Sequence, residues 1–422
     1  MSTHVRPVGF IADDITGATD IASVLANRGV DVRLAFGSDT LPADTGDAVV
    51  VALKIRSVPP MEACASALEA AKALQAAGAE QIFSKYCSTF DSTSEGNIGP
   101  VTDALIGLTG SARVVHCPSY PANGRTVYQG HLFVWEELLS DSPMRNHPLN
   151  PMRDSLLRRV LAEQTPHAVD SVLLATVDEG ADAISARLLE IGERNITAHH
   201  IIADAVRDSD LDKIAHAAAD DKVAAGGAAF GAAFAVAAHK RSGHNLSVDP
   251  RVSALPQGPA AILAGSLSRA TQEQVRNFDG PTLTLSVQDL VDGGAALRKA
   301  TVFVENSLAE GPMLITTDHN SFGASVAGGL SPADVSRRIE LAMGDIAVSL
   351  EQLGVRRFIV AGGETSGAVA EALRLQSARI GPDISVGVPW IVAEDRGLAV
   401  AFKSGNFGGP SFFSDALERA GK

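Results

Sequence analysis

Short apolar runs alternate with helical patterns along almost the whole chain, and this rhythm constrains the fold more than any other feature. In the first half the runs are 8–12, 48–55, 81–86, 113–117, 171–177 and 199–205; in the second they are 260–264, 282–286, 313–317, 357–361 and 389–393. After the first run, Ala18, Ile21, Ala22 and Leu25 follow i, i+3, i+4, i+7 spacing, with Gly29 as a helix stop. Residues 345–353 form another such helix, leading into the run at 357. Alternation of this kind predicts an α/β chain whose sheets are mainly parallel.

With 422 residues the chain exceeds one ordinary core, which rarely grows past roughly 250–300 residues. The segment 243–259 breaks the rhythm, is polar and carries Pro250, Pro256 and Pro259. It reads as a linker between domains at 1–245 and 256–422. Segment 118–152, rich in Pro, Gly, Asn and His, is too long for a plain connection and reads as a functional or mobile loop. A net charge of −14 argues against nucleic acid or an anionic membrane surface as a partner. The N-terminal residues show no signal peptide, and the longest uncharged stretch, 223–238, reads as a buried strand and helix rather than a membrane span. Three cysteines, Cys64, Cys87 and Cys117, suit reduced thiols in the cytoplasm.

The densest chemistry follows the third run, in Phe83-Ser-Lys-Tyr-Cys-Ser-Thr-Phe-Asp-Ser-Thr-Ser-Glu-Gly-Asn-Ile-Gly99. Lys85 offers a cation to a substrate carboxylate, and Ser88, Thr89, Asp91, Ser92 and Thr93 offer partners to hydroxyls, as a small polyhydroxylated acid requires. A Ser/Thr-rich turn with a solvated lysine explains the same string. Cys87 has no histidine near it in sequence and reads as a packing residue. Asp13 and Asp14 follow the first run and precede a helix containing Gly17, beyond a strand's carboxyl end, where open α/β sheets bind ligands. A carboxylate there accepts the proton of an attacking hydroxyl or helps hold magnesium; alternatively, one Asp simply caps the helix. In the long segment, Arg125 beside Asn123 suits a carboxylate or phosphoryl group, and His131 a general base or hydrogen-bond partner. A surface arginine and a structural histidine are the plainer alternatives.

In the second half, Gly362-Gly-Glu-Thr-Ser-Gly367 lies between a run and a helix, where free N–H groups and a positive dipole end suit phosphates. Glu364 there can support magnesium or the adenosine ribose; the alternative is a tight turn that needs glycine for its backbone angles. Ala264-Gly-Ser-Leu-Ser268 and Lys403-Ser-Gly-Asn-Phe-Gly-Gly409 are two more Gly/Ser clusters of the same half, and their convergence favours a nucleotide. The turn Gly226-Gly-Ala-Ala-Phe-Gly231 is a further candidate, through its backbone alone. No Gly-x4-Gly-Lys-Ser/Thr loop, protein-kinase set, His-Glu-x-x-His motif or Gly-x-Ser-x-Gly elbow is present. Together the clusters point to a small-molecule kinase.

The strings Ala12-Asp-Asp-Ile-Thr-Gly-Ala18, Lys85-Tyr-Cys-Ser-Thr-Phe-Asp-Ser-Thr93 with Gly96-Asn-Ile-Gly99, and Asn123-Gly-Arg-Thr-Val-Tyr-Gln-Gly-His131 match one family in order. So do Gly265-Ser-Leu-Ser268 with Thr271 and Gln274, and Gly362-Gly-Glu-Thr-Ser-Gly367. Across essentially its whole length the chain resembles the four-carbon acid sugar kinase family, most closely the 3-oxo-tetronate kinase branch. The resemblance implies an N-terminal sugar-acid-binding domain, a C-terminal ATP-binding domain and an active site in the interdomain cleft. It implies ATP-dependent phosphorylation of a terminal hydroxyl, with magnesium. Asp13 or Asp14 is then the catalytic carboxylate that orients or deprotonates the hydroxyl, and Gly17, Lys85, Ser88, Thr89, Asp91, Ser92, Asn123, Arg125 and His131 meet the sugar acid. Ser266, Ser268, Gly362, Gly363, Glu364, Thr365 and Gly405 meet the nucleotide, while the metal ligands stay unassigned. Cys87 and Phe90 depart from the sibling Lys-x-Asp-Ser-Thr-Leu-Arg-Gly-Asn string, which favours the 3-oxo acid over threonate or erythronate. Gly226 to Gly231 departs from the family's Gly-Gly-Ser-Gly turn, leaving it backbone groups only. A non-catalytic sugar-acid sensor is the reading from another class, and a homodimer is a candidate assembly.

Overall fold

Most of the apolar runs become strands buried on both faces, because helices cover each side of the sheets they build. The computed structural model describes residues 6–147, 150–193, 198–246, 249–266, 268–318 and 330–420. The chain divides into two units, Met1–Pro250 and Arg251–Lys422.

The first unit holds β1 (Val8–Ala12), β2 (Val32–Ala35), β3 (Ala48–Ala52), β4 (Ile82–Lys85), β5 (Arg113–Cys117), β6 (Arg125–Tyr128), β7 (His131–Val134), β8 (Glu137–Leu138), β9 (Ala168–Val172), β10 (His199–Ala203) and β11 (Val223–Gly226). Its helices are α1 (Ile15–Asn27), α2 (Pro60–Ala76), α3 (Ile98–Thr109), α4 (Leu157–Ala162), α5 (Leu174–Glu179), α6 (Ala181–Gly192), α7 (Asp208–Ala217) and α8 (Ala228–Arg241). Its main sheet runs β2-β3-β1-β4-β11-β5-β10-β9, with every pair parallel. Alternating residues of one strand serve opposite cores. Ile11 packs with Val49, Val51, Leu74 and Leu105 on the α2/α3 side. Phe10 stacks on Phe83 (5.4 Å between centroids), and Phe83 meets Phe230 of α8 (5.7 Å) on the other.

The second unit holds β12 (Ala260–Ala264), β13 (Thr282–Leu285), β14 (Met313–Thr317), β15 (Arg357–Ala361), β16 (Ser377–Ser385), β17 (Val388–Ala393) and β18 (Leu398–Lys403). Its helices are α9 (Arg269–Arg276), α10 (Val287–Asp292), α11 (Gly294–Ser307), α12 (Pro332–Gln352), α13 (Gly363–Ala372) and α14 (Phe412–Arg419). The strand order is β13-β14-β12-β15-β18-β17-β16.

Three sequence expectations change. The run at 389–393 lies in β17, which pairs antiparallel with both β16 and β18, so the strict alternation ends after β15. Short turns join these strands, and antiparallel partners need no crossover helix. The run at 171–177 is split, with β9 ending at Val172 and α5 starting at Leu174. The 118–152 segment is no plain loop: β6, β7 and β8 form a small antiparallel sheet of their own. The uncharged stretch at 223–238 is a buried strand followed by a buried helix. Among the described residues, no helix is long and apolar enough to cross a membrane.

Candidate active site

Parallel register sets the carboxyl ends of β3, β1 and β4 side by side, for Ala12 pairs with both Ala52 and Lys85. The Asp13 amide donates to the Lys85 carbonyl (3.1 Å), and the Ile55 amide to the Asp13 carbonyl (2.9 Å). The two aspartates then part company. Asp14 caps α1, accepting from the Gly17 amide (2.8 Å) and from the Thr16 hydroxyl (2.7 Å). Asp13 is gripped in bidentate fashion by Arg56, whose Nε and Nη2 each donate at 2.7 Å. The same Nη2 reaches Asp14 Oδ1 at 2.8 Å. Asn97, at the start of α3, holds the segment that carries Arg56 by donating to the carbonyls of Ile55 (2.7 Å) and Val58 (2.9 Å).

Lys85 is only 2% exposed, so its charge requires partners inside the protein. It donates to the Tyr86 carbonyl at 3.1 Å and lies 3.8 Å from Asp20 Oδ2. Gly17 stands over this group. A Cβ there would fall 2.4 Å from Asp14 Oδ1 and 3.2 Å from Lys85 Nζ, so glycine alone leaves the approach open. Burial pushes the Asp13 carboxyl up, and the attraction of Arg56 only partly offsets it. Burial acts on Asp14 too, but Arg56, Lys85, the Thr16 hydroxyl and the Gly17 amide outweigh it and hold that carboxyl below its ordinary value. Asp20, on α1, is raised to about 6 by burial, against the pull of Lys85. Its Oδ1 is buried with no hydrogen-bond partner among the described residues. The charge of Arg125 is also felt at Asp20, which puts that arginine in the field of the cluster. Arg125 keeps a buried Nε unpartnered while Nη1 donates to the Asn123 carbonyl.

In the turn after β4, the Thr89 hydroxyl donates to Asp91 Oδ1 (2.5 Å) and lies 2.9 Å from Cys87 Sγ. Burial raises the Cys87 thiol to about 11, so it stays protonated and packs, as the sequence reading expects. Phe90 takes a left-handed φ of 51° and sets its ring edge-on to Tyr86 at 5.2 Å. Ser88 is half-buried, and the Ser92 hydroxyl donates to Gln164 Oε1 (3.1 Å). Asp13, Arg56, Lys85, Tyr86, Asp91 and Ser92 line a cavity of about 20 Å³, room for about one water. Behind it the Tyr86 hydroxyl reaches His116 Nδ1 (3.4 Å), His116 Nε2 reaches His200 Nδ1 (2.9 Å), and His200 Nε2 reaches Asp103 (2.8 Å). Burial, then the neighbouring His200, keep His116 neutral.

His131 opens β7 of the small sheet, and Asn123 ends a short 3-10 turn just before β6. His131 Nδ1 pairs with Ser155 Oγ (2.9 Å), and the adjacent turn is pinned by Asp204, which accepts from the Gln129 and Gly130 amides, both at 2.8 Å. No hydrogen bond or ion pair among the described residues joins either of them to the Lys85 group.

In the second unit Ala361 pairs with Ala264 on one side and Lys403 on the other, so Gly265, Gly362 and Ser404 leave three adjacent strand ends. The amides of Gly265 and Ser266 donate to the Ala361 carbonyl (3.1 Å each), and that of Gly362 to the Lys403 carbonyl (2.8 Å). Gly362 has φ +128° and starts α13 without any side-chain cap. Gly363 and Glu364 are exposed, and Thr365 is buried beneath them. An uncapped helix start offers free amides and a positive dipole end to an anion. Ser268 caps α9, and its hydroxyl donates to the Gly405 carbonyl (2.5 Å), as does that of Thr271 (2.9 Å). Gln274 Nε2 donates to the carbonyls of Phe407, Gly408 and Gly409 (3.1, 3.1 and 3.0 Å), so α9 fastens the whole 404–409 loop. A Cβ on Gly405 would lie 2.5 Å from Ser266 Oγ and 3.1 Å from Ser268 Oγ, which shows how closely these residues converge. Among the described residues no three His, Cys, Asp or Glu side chains cluster to hold a metal. Magnesium held by substrate phosphates with one or two carboxylates requires no such cluster, and Glu364 is the acid beside this turn.

The Gly226 to Gly231 turn belongs to the first unit, where Gly226 pairs in register with Lys85. The Gly226 carbonyl accepts from the Tyr86 amide (3.1 Å), the Gly227 amide donates to the Cys117 carbonyl (3.0 Å), and α8 starts after them without a side-chain cap. Sequence reasoning singled out neither Arg56 nor Asp20, and met Asn97 and Lys403 only inside longer strings. Arg56 carries a signal, a charged residue just past a wholly apolar strand; Asp20 carries another, an acid on the buried side of a helix. Nothing local marks Asn97, whose partners lie about forty residues away in sequence.

Comparison with known proteins agrees with this division. A family model described as a sugar-binding N-terminal domain matches residues 8–234, and one described as a nucleotide-binding C-terminal domain matches 261–413. The chain is 42% identical to a 3-oxo-tetronate kinase of Methylobacterium radiotolerans, over 97% of this chain and 98% of the relative. It is 39% identical to a 3-oxo-tetronate kinase of Pseudomonas savastanoi pv. phaseolicola, over 99% and 98%. A crystal structure from Salmonella typhimurium LT2 superimposes with a TM-score of 0.84 at 37% identity, covering 97% of this chain and 98% of that one. Fold and site thus define a two-domain carbohydrate kinase. The chain belongs to the four-carbon acid sugar kinase family, on its 3-oxo-tetronate kinase branch.

Proposed function

We propose that this protein transfers the γ-phosphoryl group of ATP to the C4 hydroxyl of 3-oxo-tetronate, giving 3-oxo-tetronate 4-phosphate. The observation that carries the reading is the cluster at the ends of β1, β3 and β4. There, buried Lys85 and Arg56 stand among Asp13, Asp14 and Asp20, within a unit matched by a sugar-binding family model. Relatives named for this activity align over nearly the full chain.

Lys85 and Arg125 receive the substrate carboxylate, and Ser88, Thr89 and Asp91 its oxygens, with Asn123 serving from the turn before β6 and His131 from β7. Asp13 is committed to Arg56, so Asp14, charged at neutral pH, is the residue that orients the C4 hydroxyl. On the second unit Ser266, Ser268, Gly405 and the α13 turn Gly362-Gly363-Glu364-Thr365 hold the nucleotide. Glu364 would help hold magnesium at this turn, and the ion would supply charge neutralisation there. A loose phosphoryl-transfer transition state asks mainly for positioning and charge stabilisation, so a weakly basic Asp14 suffices.

A coupled ADP-release screen of four-carbon acids with MgATP tests this. 3-Oxo-tetronate should be the preferred acceptor, and Asp14→Asn should lower turnover while sparing ATP affinity. Faster turnover of threonate or erythronate would replace the substrate, and binding of acids without any ADP formation would replace the kinase by a sensor.

A further inference from the structure

Lys403 ends β18 with none of its side chain exposed, yet no carboxylate among the described residues pairs with it. Three neutral oxygens stand within hydrogen-bond reach of its Nζ: Thr271 Oγ1 (3.0 Å), the Ser404 carbonyl (3.0 Å) and the Gly405 carbonyl (2.9 Å). Lys85 of the other unit, equally buried, has Asp20 at 3.8 Å and Asp14 close by. A buried lysine without a counter-charge gives up its proton readily, and an anion beside it restores the charged form.

The surroundings say which anion. The Gly405 carbonyl is held by three donors at once, Ser268, Thr271 and Lys403, and the Gly362 amide donates to the Lys403 carbonyl. Lys403 therefore touches both loops that carry the nucleotide reading, through its main chain and its side chain. We infer that Lys403 is a positioning residue of the nucleotide site: its ammonium fixes the Gly405 loop and supplies a buried positive charge that the nucleotide's phosphates neutralise. This rests on the nucleotide reading above. Because those three oxygens surround its Nζ, Lys403 acts through the loop and through its field rather than by gripping phosphate directly.

The charge state of Lys403 offers the test. Burial alone lowers its pKa to about 7. The groups that face it are Thr271 from α9, the Ser404 and Gly405 carbonyls, and the Phe412 ring from α14, 5.8 Å away. Arg269 and Glu273 on α9, Glu364 on α13 and Asp415 on α14 neither pair with it nor contribute to the shift. Without ligand, Lys403 is then mostly neutral at pH 8, and phosphates favour its charged form, so binding must draw a proton from solvent.

Calorimetric titration of the full chain with MgATP at pH 8, in buffers of different ionisation enthalpy, counts that proton. Uptake of roughly half to one proton is expected for the wild type, vanishing in Lys403→Arg, which stays charged throughout. Lys403→Met should also bind without uptake, and 10- to 100-fold more weakly at pH 6.5. MgATP binding to the wild type without proton uptake, or uptake that persists in Lys403→Met, overturns the role of Lys403 and leaves the nucleotide reading standing. The wild-type arm needs no variant to fold. Failure of MgATP to bind at all refutes the nucleotide reading and this inference with it.

Discussion

Arg56 and Asp13 form a two-point clamp, with both hydrogen bonds at 2.7 Å, and the same guanidinium reaches Asp14 at 2.8 Å. One cation thereby lets two neighbouring carboxylates stay together beneath the surface. Replacing Arg56 by Leu takes from Asp13 both of its side-chain hydrogen bonds and leaves Asp14 with Lys85, Thr16 and Gly17 alone, a loss expected to cost about 3–5 kcal/mol of stability. Lys at this position keeps the charge but cannot make the fork, so Arg56→Lys should fold well and still lose about 10²-fold in kcat. Urea unfolding and steady-state rates check both. Near-normal turnover in Arg56→Lys would show that the clamp's geometry does not matter to the reaction.

Gly17 should separate stability from activity. Alanine is better than glycine inside a helix by roughly 1 kcal/mol, so Gly17→Ala should leave thermal stability near the wild-type value. Its methyl would nevertheless lie 2.4 Å from Asp14 Oδ1, and the carboxylate must move. A displacement near 1 Å in a positioned group is expected to lower kcat about 10²-fold. Unchanged kcat in a folded Gly17→Ala protein would remove Asp14 from the reaction.

Much of this was legible in the sequence wherever the signal was local. The apolar runs announced strands of mainly parallel sheets, and the residues just past 12, 85, 264 and 361 marked strand ends in them. The Asp13-Asp14 ambiguity was not legible, since both a cap and a charge partner look alike as an Asp-Asp pair. The structure gives Asp14 the cap, Asp13 the clamp, and both of them Arg56. Contacts made across long sequence separation were silent. Asn97 shapes the Arg56 segment and Gln274 fastens the 407–409 carbonyls, and neither partner can be guessed from spacing. Lys403 read as part of a glycine-rich loop because the strand before it, like β16, belongs to an antiparallel meander that breaks the βα rhythm.

The nucleotide reading makes a demand on Gly362. Its φ of +128° is open to glycine and strained for any other residue, and forcing a side chain there costs about 1–3 kcal/mol. The relief available to Gly362→Ala is a shift of the α13 start, which moves the free amides of Gly363 and Glu364. The KM for ATP should rise more than about 10-fold, on the scale of a lost charge-assisted contact. The KM for the sugar acid should hold within a factor of two. Equal losses for both substrates would mean that the turn supports the fold rather than the nucleotide.

Asp20 makes a prediction about stability alone. Its carboxyl keeps a proton up to about pH 6 in the folded chain, against an ordinary value of 3.8. Between those values the folded state binds more protons than the unfolded one, so stability falls as pH rises through the window. Above it the charge is a standing penalty, about 2–3 kcal/mol at roughly 1.4 kcal/mol for each unit of pKa. Asp20→Asn removes that penalty but also takes a partner from Lys85, so its effect at any single pH mixes two causes. The difference between two pH values isolates the titration. Relative to the wild type, Asp20→Asn should be about 2–3 kcal/mol more favourable at pH 8 than at pH 4, read from urea unfolding at each pH. The same stability difference at both would mean that Asp20 titrates as an ordinary surface acid, and that the α1 side of the site is open to water.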